Sequence, residues 1–300
     1  MNTESPGKRK SKKKGKASLI DYEIISEIGS GATGTVYKCK LKSDESQEKY
    51  AIKRIKIGKK SKDVLKEVFM LKNISHPNII KLHTSFVDSE YLYMVMEYAD
   101  GGDLLSLIKK QKDAGKFFSE KCIWNFARQI LLGILHLHAN DIIHRDLKSQ
   151  NVMIKDGVLK IGDLGESKFL NKMDYLSGKA VGTPMYLSPE VIKHENYDHR
   201  VDVWGFGCII YHLTALKPPF VSDTIEGLLK CIQFKPPKHL QGCYSVKLKE
   251  FIYKMLEKQK SKRPFVTELT SMFPSSFKFE RIVDTTNYKK CNTLTNCTNF

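Results

Sequence analysis

No run in this 300-residue chain approaches the roughly 18 consecutive apolar side chains that a membrane span requires. The opening MNTESPGKRK has no apolar core of the kind a secretory signal carries. We therefore expect an intracellular protein, working in the cytoplasm, in the nucleus or on the cytoskeleton. Seven cysteines are scattered from Cys39 to Cys297 with no C-x-x-C pair, which argues against a disulfide framework or a structural zinc site and for reduced thiols. No internal repeat and no extended heptad pattern is present, so neither a solenoid nor a coiled-coil dimer is expected.

Hydrophobic residues make up 41% of the chain and charged residues 28%, which rules out disorder throughout and suffices for one large domain or two lobes. Positive charge is in excess. The formal balance is +17, and residues 1 to 18 hold Lys8, Arg9, Lys10, Lys12, Lys13, Lys14 and Lys16 against Glu4 alone. A segment this basic, without aromatics or periodicity, cannot bury enough surface to fold. We read residues 1–20 as a disordered tail. Solvation alone, an import receptor, nucleic acid and an anionic lipid surface all remain open readings for it.

Alternation of apolar and polar residues begins at Tyr22 and Ile24, and two more strand-like runs follow, TVYKCKL at 35–41 and YAIKRIKI at 50–57. Residues 62–73 read as a helix with Val64, Val68 and Leu71 on one face, and strands are expected near 80–87 and 91–97. Helical spacing then dominates. Ile123, Ala127, Ile130, Ile134 and Leu137 predict a half-buried helix over 120–140, and VDVWGFGCIIYHL at 201–213 is apolar nearly all round, as a helix inside a lobe must be. Asp156-Gly157 between two alternating stretches predicts a hairpin over 152–161.

The motif Gly29-x-Gly31-x-x-Gly34-x-Val36 falls between two strands, where residues without side chains let backbone N–H groups approach phosphate oxygens. The strand that follows disfavours a dinucleotide fold, and the absence of G-x-x-x-x-G-K-[ST] disfavours a P-loop. Lys53 sits in an apolar strand and needs an anion; it could bind a nucleotide's phosphates while Glu67 in the next helix holds it in position, since a compact ammonium suits phosphate and carboxylate at once. The segment His144-Arg145-Asp146-Leu147-Lys148-Ser149-Gln150-Asn151 precedes Asp163-Leu164-Gly165. Two carboxylates and an amide thus bracket one hairpin. They can orient a hydroxyl through Asp146, hold magnesium through Asn151 and Asp163, and neutralise phosphate charge through Lys148.

With Gly182-Thr183-Pro184, Ser188-Pro189-Glu190, Asp202-x-Trp204 and Arg263-Pro264, these motifs resemble the eukaryotic protein kinase family over roughly Tyr22 to Phe273. The resemblance implies an α+β, bilobal fold, with a small antiparallel β lobe plus one helix at 21–97, a hinge at about 97–101, and a larger, mainly helical lobe at 102–273. Residues 274–300 would form a C-terminal extension. It implies ATP and Mg2+ as cofactors, Asp146 as catalytic base, Lys148 beside it, Lys53 paired with Glu67, and Asn151 and Asp163 as metal ligands. ATP would lie against Ile28, Gly29, Ser30, Gly31, Gly34, Val36, Ala51, Lys53, Met96, Glu97, Ala99 and Met153, with Met96 gating the adenine pocket. Glu190 and Arg263 would form a buried ion pair, and Asp202 would anchor the catalytic loop.

Lys148 and Thr183 are similar to the serine/threonine branch, and HRDLKSQN, GTPMYLSPE and LKPPF are most similar to NIMA-related kinases, a group associated with mitosis, centrosomes and cilia. Protein substrates and an upstream activating kinase follow as partners. The runner-up is a pseudokinase scaffold that binds nucleotide without turnover. Two departures from the family bear on regulation. Lys179 occupies the usual phosphorylated position, leaving Ser177, Tyr175 and Thr183 as candidate phosphosites. Leu164 replaces the commoner phenylalanine in an apolar column with Leu71, Leu82 and His144. Gln150 stands where arginine-directed kinases often carry glutamate, so a preference for basic substrates is not expected.

Overall fold

Alternation from Tyr22 onward is realised as strands in a computed structural model that describes residues 17–31, 34–57, 68, 72, 74–163, 184–242, 244–277 and 279. The chain divides into two compact units, one built on residues up to 61 and on 82–97, the other on 62–81 and from 98 onward. The first unit holds β1 (Tyr22–Gly31), β2 (Gly34–Leu41), β3 (Lys49–Lys56), β4 (Leu82–Asp88) and β5 (Tyr91–Glu97). They form an antiparallel sheet in the order β1-β2-β3-β5-β4.

Register sorts the side chains of this sheet, because residues directly opposed across a ladder share a face. Val36 faces Lys53 and Lys53 faces Met94, while Ala51 faces Met96. Val36, Ala51, Lys53, Met94 and Met96 therefore lie on one face. The other face carries Tyr37, opposed to Ile52, which opposes Val95. Ile52 and Val95 there join Cys39 and Tyr93 in a small buried cluster. Stacked rings edge that cluster, Tyr22 on Phe86 at 6.3 Å and Phe86 on Tyr93 at 5.3 Å.

The second unit is mainly helical. Its helices are α1 (Leu104–Asp113), α2 (Glu120–Ala139), α3 (Pro189–Ile192), α4 (Arg200–Ala215), α5 (Ile225–Phe234), α6 (Val246–Met255) and α7 (Val266–Leu269), with a hairpin of β6 (Val152–Lys155) and β7 (Val158–Ile161). Asp103 caps α1 by accepting from the Ser106 N–H at 2.8 Å, and Ser119 caps α2 through Cys122. All five residues of the expected apolar stripe on α2 are buried, each worth about 1.5–3 kcal/mol for the large aliphatics. Every residue of α4 from Val201 to Thr214 is buried. None of the helices among the described residues is long and apolar enough to cross a membrane.

The β6–β7 turn places Asp156 and Gly157 at φ 49° and 76°, the pair of positive values a two-residue hairpin of this twist requires. A Cβ at Gly133 of α2 would lie 2.8 Å from the Ile161 side chain and 2.9 Å from the Asn78 carbonyl. Glycine there lets α2 press directly on β7, the strand that leads into Asp163.

Two boundaries differ from the sequence expectation. The strand expected from residue 80 begins at Leu82, because Ile79 and Ile80 are taken by the other unit, where Ile80 N–H donates to the Ile161 carbonyl at 2.8 Å and Ile79 bridges Ile161. The extension from Pro274 starts with two anchored rings. Phe277 and Phe279 pack on Phe273, and Arg128 of α2 lies over Phe279. Of the tail expected to be disordered over 1–20, residues 1–16 lie outside the described residues, but its end is ordered: Ser18 N–H donates to the Asp21 carboxylate at 2.8 Å, Leu19–Asp21 form a 3-10 turn, and Leu19 packs against the cluster around Cys39 and Ile52, apolar contacts that the basic segment before it lacks. Most of the helix expected at 62–73 with Glu67 and Leu71, and the segment 164–183, also lie outside the described residues.

Candidate active site

Asp146 is the centre of a hydrogen-bonded cluster in the helical unit. Lys148 Nζ donates to its Oδ2 at 2.6 Å, and Asn151 Nδ2 donates to the same oxygen at 3.0 Å and to the Asp146 carbonyl at 2.8 Å. Both side-chain donors take Oδ2, which leaves Oδ1 as the acceptor for a hydroxyl. The Asn151 amide spends its N–H groups on Asp146, so its Oδ1 is the atom a cation can take. Asp163 stands at φ 53° and Arg145 at φ 67°, backbone conformations that non-glycine residues rarely hold unless their surroundings fix them.

His144 joins the two ends of the cluster. Its Nδ1 accepts from the Asp146 N–H at 3.3 Å and its Nε2 meets the Gly162 carbonyl at 2.9 Å, which fixes the proton on Nε2. Gly162 N–H returns to the Asn151 carbonyl at 2.7 Å. Residue 163 is thereby held beside 151 and 146. A carboxylate and an amide oxygen supplied from two adjoining turns suit a hard divalent cation, which prefers oxygen ligands and keeps part of its water.

Below this cluster lies Asp202 of α4, 1% exposed. Its Oδ2 accepts from His144 N–H and from His138 Nε2, and its Oδ1 from Arg145 N–H, all at 2.8 Å. Burial would raise the Asp202 pKa, but the His138 hydrogen bond, the two histidines and the His144 N–H outweigh it and hold the carboxyl below its ordinary range. Gly205, one turn on, brings α4 against the same loop, since a Cβ there would sit 2.6 Å from the Leu147 carbonyl.

A second polar chain pins the turn after Lys148. The buried Ser149 hydroxyl bonds to Tyr186 Oη at 3.0 Å, and that oxygen meets His212 Nδ1 at 3.3 Å. Burial and the charge of Lys112 bring the His212 pKa down to about 4, so the ring is neutral at physiological pH. Farther out, Arg263 Nη1 and Nη2 bind Glu190 at 2.6 and 3.0 Å, and its remaining donors go to the Arg200 and Glu257 carbonyls. All five guanidinium N–H groups are used, as a charge this deeply buried requires.

In the sheet unit, Gly29 pairs with Val36, Ser30 with Thr35 and Gly31 with Gly34. A Cβ added at Gly29 or Gly31 would meet nothing within 4 Å, whereas Gly34 stands at φ 136° and a Cβ there would run into the Arg54 carbonyl. The fold itself demands glycine only at position 34. The other two keep a bare backbone surface, which suits the close approach of phosphate oxygens. Lys53 is only 4% exposed, on the sheet face it shares with Val36, Ala51 and Met96. Ile28 is exposed on β1, Glu97 ends β5, and Met153 of β6 bridges Asp103.

Glu67, Leu164, Tyr175, Ser177, Lys179 and Thr183 lie outside the described residues. Sequence reasoning passed over Met94, His138, Ser149, Tyr186 and His212. The available signal was a histidine at the end of each of two strongly apolar helical runs.

The chain has relatives among known proteins. The family model described as protein kinase domain matches residues 22–273. The chain is similar to the serine/threonine-protein kinase Nek3 of Mus musculus, 38% identical over 253 residues, which cover 84% of this chain and 49% of that protein. It is also similar to Nek5 of Homo sapiens, 37% identical over 257 residues, covering 83% and 35%. Nek11 of Homo sapiens is 36% identical over 254 residues, covering 83% and 39%. The chain spans about half or less of the length of these relatives.

Proposed function

The chain belongs to the protein kinase domain family, and from that premise we propose that it transfers the γ-phosphoryl group of Mg-ATP to serine or threonine hydroxyls of protein substrates. The observation that carries this reading is the Asp146–Lys148–Asn151 cluster, which has an open carboxylate oxygen and a charged neighbour at 2.6 Å. Asp146 orients the acceptor hydroxyl and takes its proton. Lys148 offsets negative charge as it moves onto the transferred group, and Asn151 with Asp163 would hold magnesium. ATP and magnesium supply the transferable phosphoryl group and the neutralisation of its charge. Gly29, Ser30, Gly31 and Lys53 would take the phosphates, and Ile28, Val36, Ala51, Met96 to Ala99 and Met153 the adenine. The protein's own contribution is position and preorganised charge.

The likeness to Nek3, Nek5 and Nek11 supports a place among NIMA-related kinases, and we extend the proposal to a role in the cell cycle, at centrosomes or in cilia. Regulation would run through Ser177, with Tyr175 and Thr183 as alternatives. Full activity of both a Ser177→Ala variant and phosphatase-treated wild type would contradict it.

The test is transfer of labelled γ-phosphate to generic protein substrates and to the chain itself, followed by acid hydrolysis. Phosphoserine and phosphothreonine are expected. Mg-ATP that raises the melting temperature without transfer, even after treatment with an activating kinase, would identify a pseudokinase instead.

A further inference from the structure

The surface of α1 and of the turn behind it carries an excess of positive charge. The helix buries Leu104 and Ile108 and exposes Lys109, Lys110 and Lys112, the following turn exposes Lys116 and Phe117, the latter 65% exposed, and Lys121 is exposed in the first turn of α2. The same stretch offers Asp113 and Glu120 in return, and Glu120 is already occupied. Its Oε1 takes the Trp124 indole N–H at 3.0 Å and the Ser245 hydroxyl at 2.6 Å, and its Oε2 takes the Ser245 N–H at 2.7 Å. None of the five ammonium groups is ion-paired with a carboxylate among the described residues.

Helix physics accounts for part of this pattern. Lys110 and Lys112 lie in the last turn of α1, where a cation complements the helix dipole. Lys109 precedes that turn, and Lys116 and Lys121 lie outside the helix. Like charges spaced three residues apart within the helix, as in Lys109–Lys112, cost it a few tenths of a kcal/mol. Folding alone does not favour them.

Position gives the surface a use. Helix α1 packs against the 149–151 turn, which follows directly on Lys148. The charge of Lys112 is felt at His212, the terminus of the Tyr186–Ser149 chain. At physiological ionic strength charges act over about 8 Å, so a partner must touch this face to sense it, and the helix that bears the face packs on the turn that follows the loop bearing Asp146.

We infer that the surface formed by Lys109 and Lys112 of α1 and by Lys116 and Phe117 of the turn after it docks an acidic stretch of the protein substrate, set apart in sequence from the serine or threonine to be modified. This deepens the kinase reading and rests on it. An extended acidic polypeptide fits because it brings carboxylates to several ammonium groups at once, and a single apolar residue in it can cover Phe117. Its other end reaches the adjacent loop.

The test uses the full chain and two peptides with identical sequence around one serine, one bearing six glutamates across a Gly-Ser linker and the other six glutamines. For the wild type we expect KM about 10-fold lower for the acidic peptide, as surface charge complementarity acts mainly on encounter. The difference should vanish in 0.5 M salt and in a Lys109→Glu/Lys112→Glu/Lys116→Glu variant of unchanged melting temperature. That variant should keep wild-type kcat and ATP KM on the neutral peptide. Equal KM for both peptides in the wild type, or a difference that survives in the variant, overturns the inference. If neither peptide is phosphorylated, the kinase reading is what fails, and fluorescence anisotropy of the labelled acidic peptide then decides. Binding lost in the triple variant upholds docking, and no binding by the wild type overturns it. Binding of phosphatidylserine vesicles or an RNA oligonucleotide in place of the peptide would assign the face to another partner and also overturn it.

Discussion

The loop from His144 to Asp163 and the hairpin from Gly29 to Gly34 are built by opposite means. In the loop nearly every polar group is tied to another. Asp202 holds two of its N–H groups, His144 spans from Asp146 to Gly162, and Asn151 closes on Asp146. In the hairpin the structure withholds atoms, so that Gly29 and Gly31 face open space. Positions that must orient a proton and a metal need their geometry set in advance, because reorganisation during reaction costs rate. A surface that wraps phosphates needs only bare backbone, and the ligand can supply the remaining order.

The largest blow to the tied region is Asp202→Ala, which strands the buried His144 N–H, the partly buried Arg145 N–H and His138 together. About 3–5 kcal/mol of stability should be lost, read as a fall of roughly 10 °C in melting temperature. A fall under 2 °C would show that the loop is not held from α4. In the hairpin Gly34→Ala should come next, at about 2 kcal/mol, because its added Cβ meets the Arg54 carbonyl at a positive φ.

Acid should single out the tied region as well. His212 has an ordinary pKa of 6.5 and a folded value of about 4. Between those two values the unfolded chain binds a proton that the folded chain refuses, so stability falls as pH drops through that window. The fall is up to about 1.4 kcal/mol per pH unit, and it stops once both states are protonated. Burial also puts the pKa of His76 at about 4 and lowers those of His136 and His199, and all three add in the same direction. Denaturation midpoints at pH 7 and pH 5 measure the sum, and His212→Asn should flatten the slope. An unchanged slope in that variant would mean that the ring is not held neutral. Smallest of all are Gly29→Ala and Gly31→Ala, expected within about 0.5 kcal/mol of wild type while raising KM for ATP. Destabilisation equal to that of Gly34→Ala would erase the distinction between the glycines.

Much of this was legible in the chain, for reasons that differ by element. Period-two alternation marked β2, β3 and β5 to within a residue, the helical stripe marked α2, and Asp156-Gly157 marked a turn that needs two positive φ values. The loop motif was legible because it crowds Asp146, Lys148 and Asn151 into six consecutive residues. Its supports were not. His138, Tyr186 and His212 come from distant segments; His138 meets Asp202 only once α2 and α4 pack, and Tyr186 links Ser149 to His212 only when its own turn is brought against both. Ile79 and Ile80 failed for a related reason, since their apolar character suits a strand equally well in either unit and only the partner at Ile161 decides. Likewise Phe277 and Phe279 lack periodicity and are fixed by Phe273 and Arg128.

The most direct measurement is single-turnover γ-phosphate transfer by Asp146→Asn against wild type, with the Mg-ATP-induced rise in melting temperature recorded on the same samples. A rate lower by about 10² to 10⁴-fold is expected with the thermal shift preserved, because Asn retains the bonds to Lys148 and Asn151 but cannot take a proton. A variant that transfers phosphate at the wild-type rate would contradict the assignment of Asp146 and the function proposed from it.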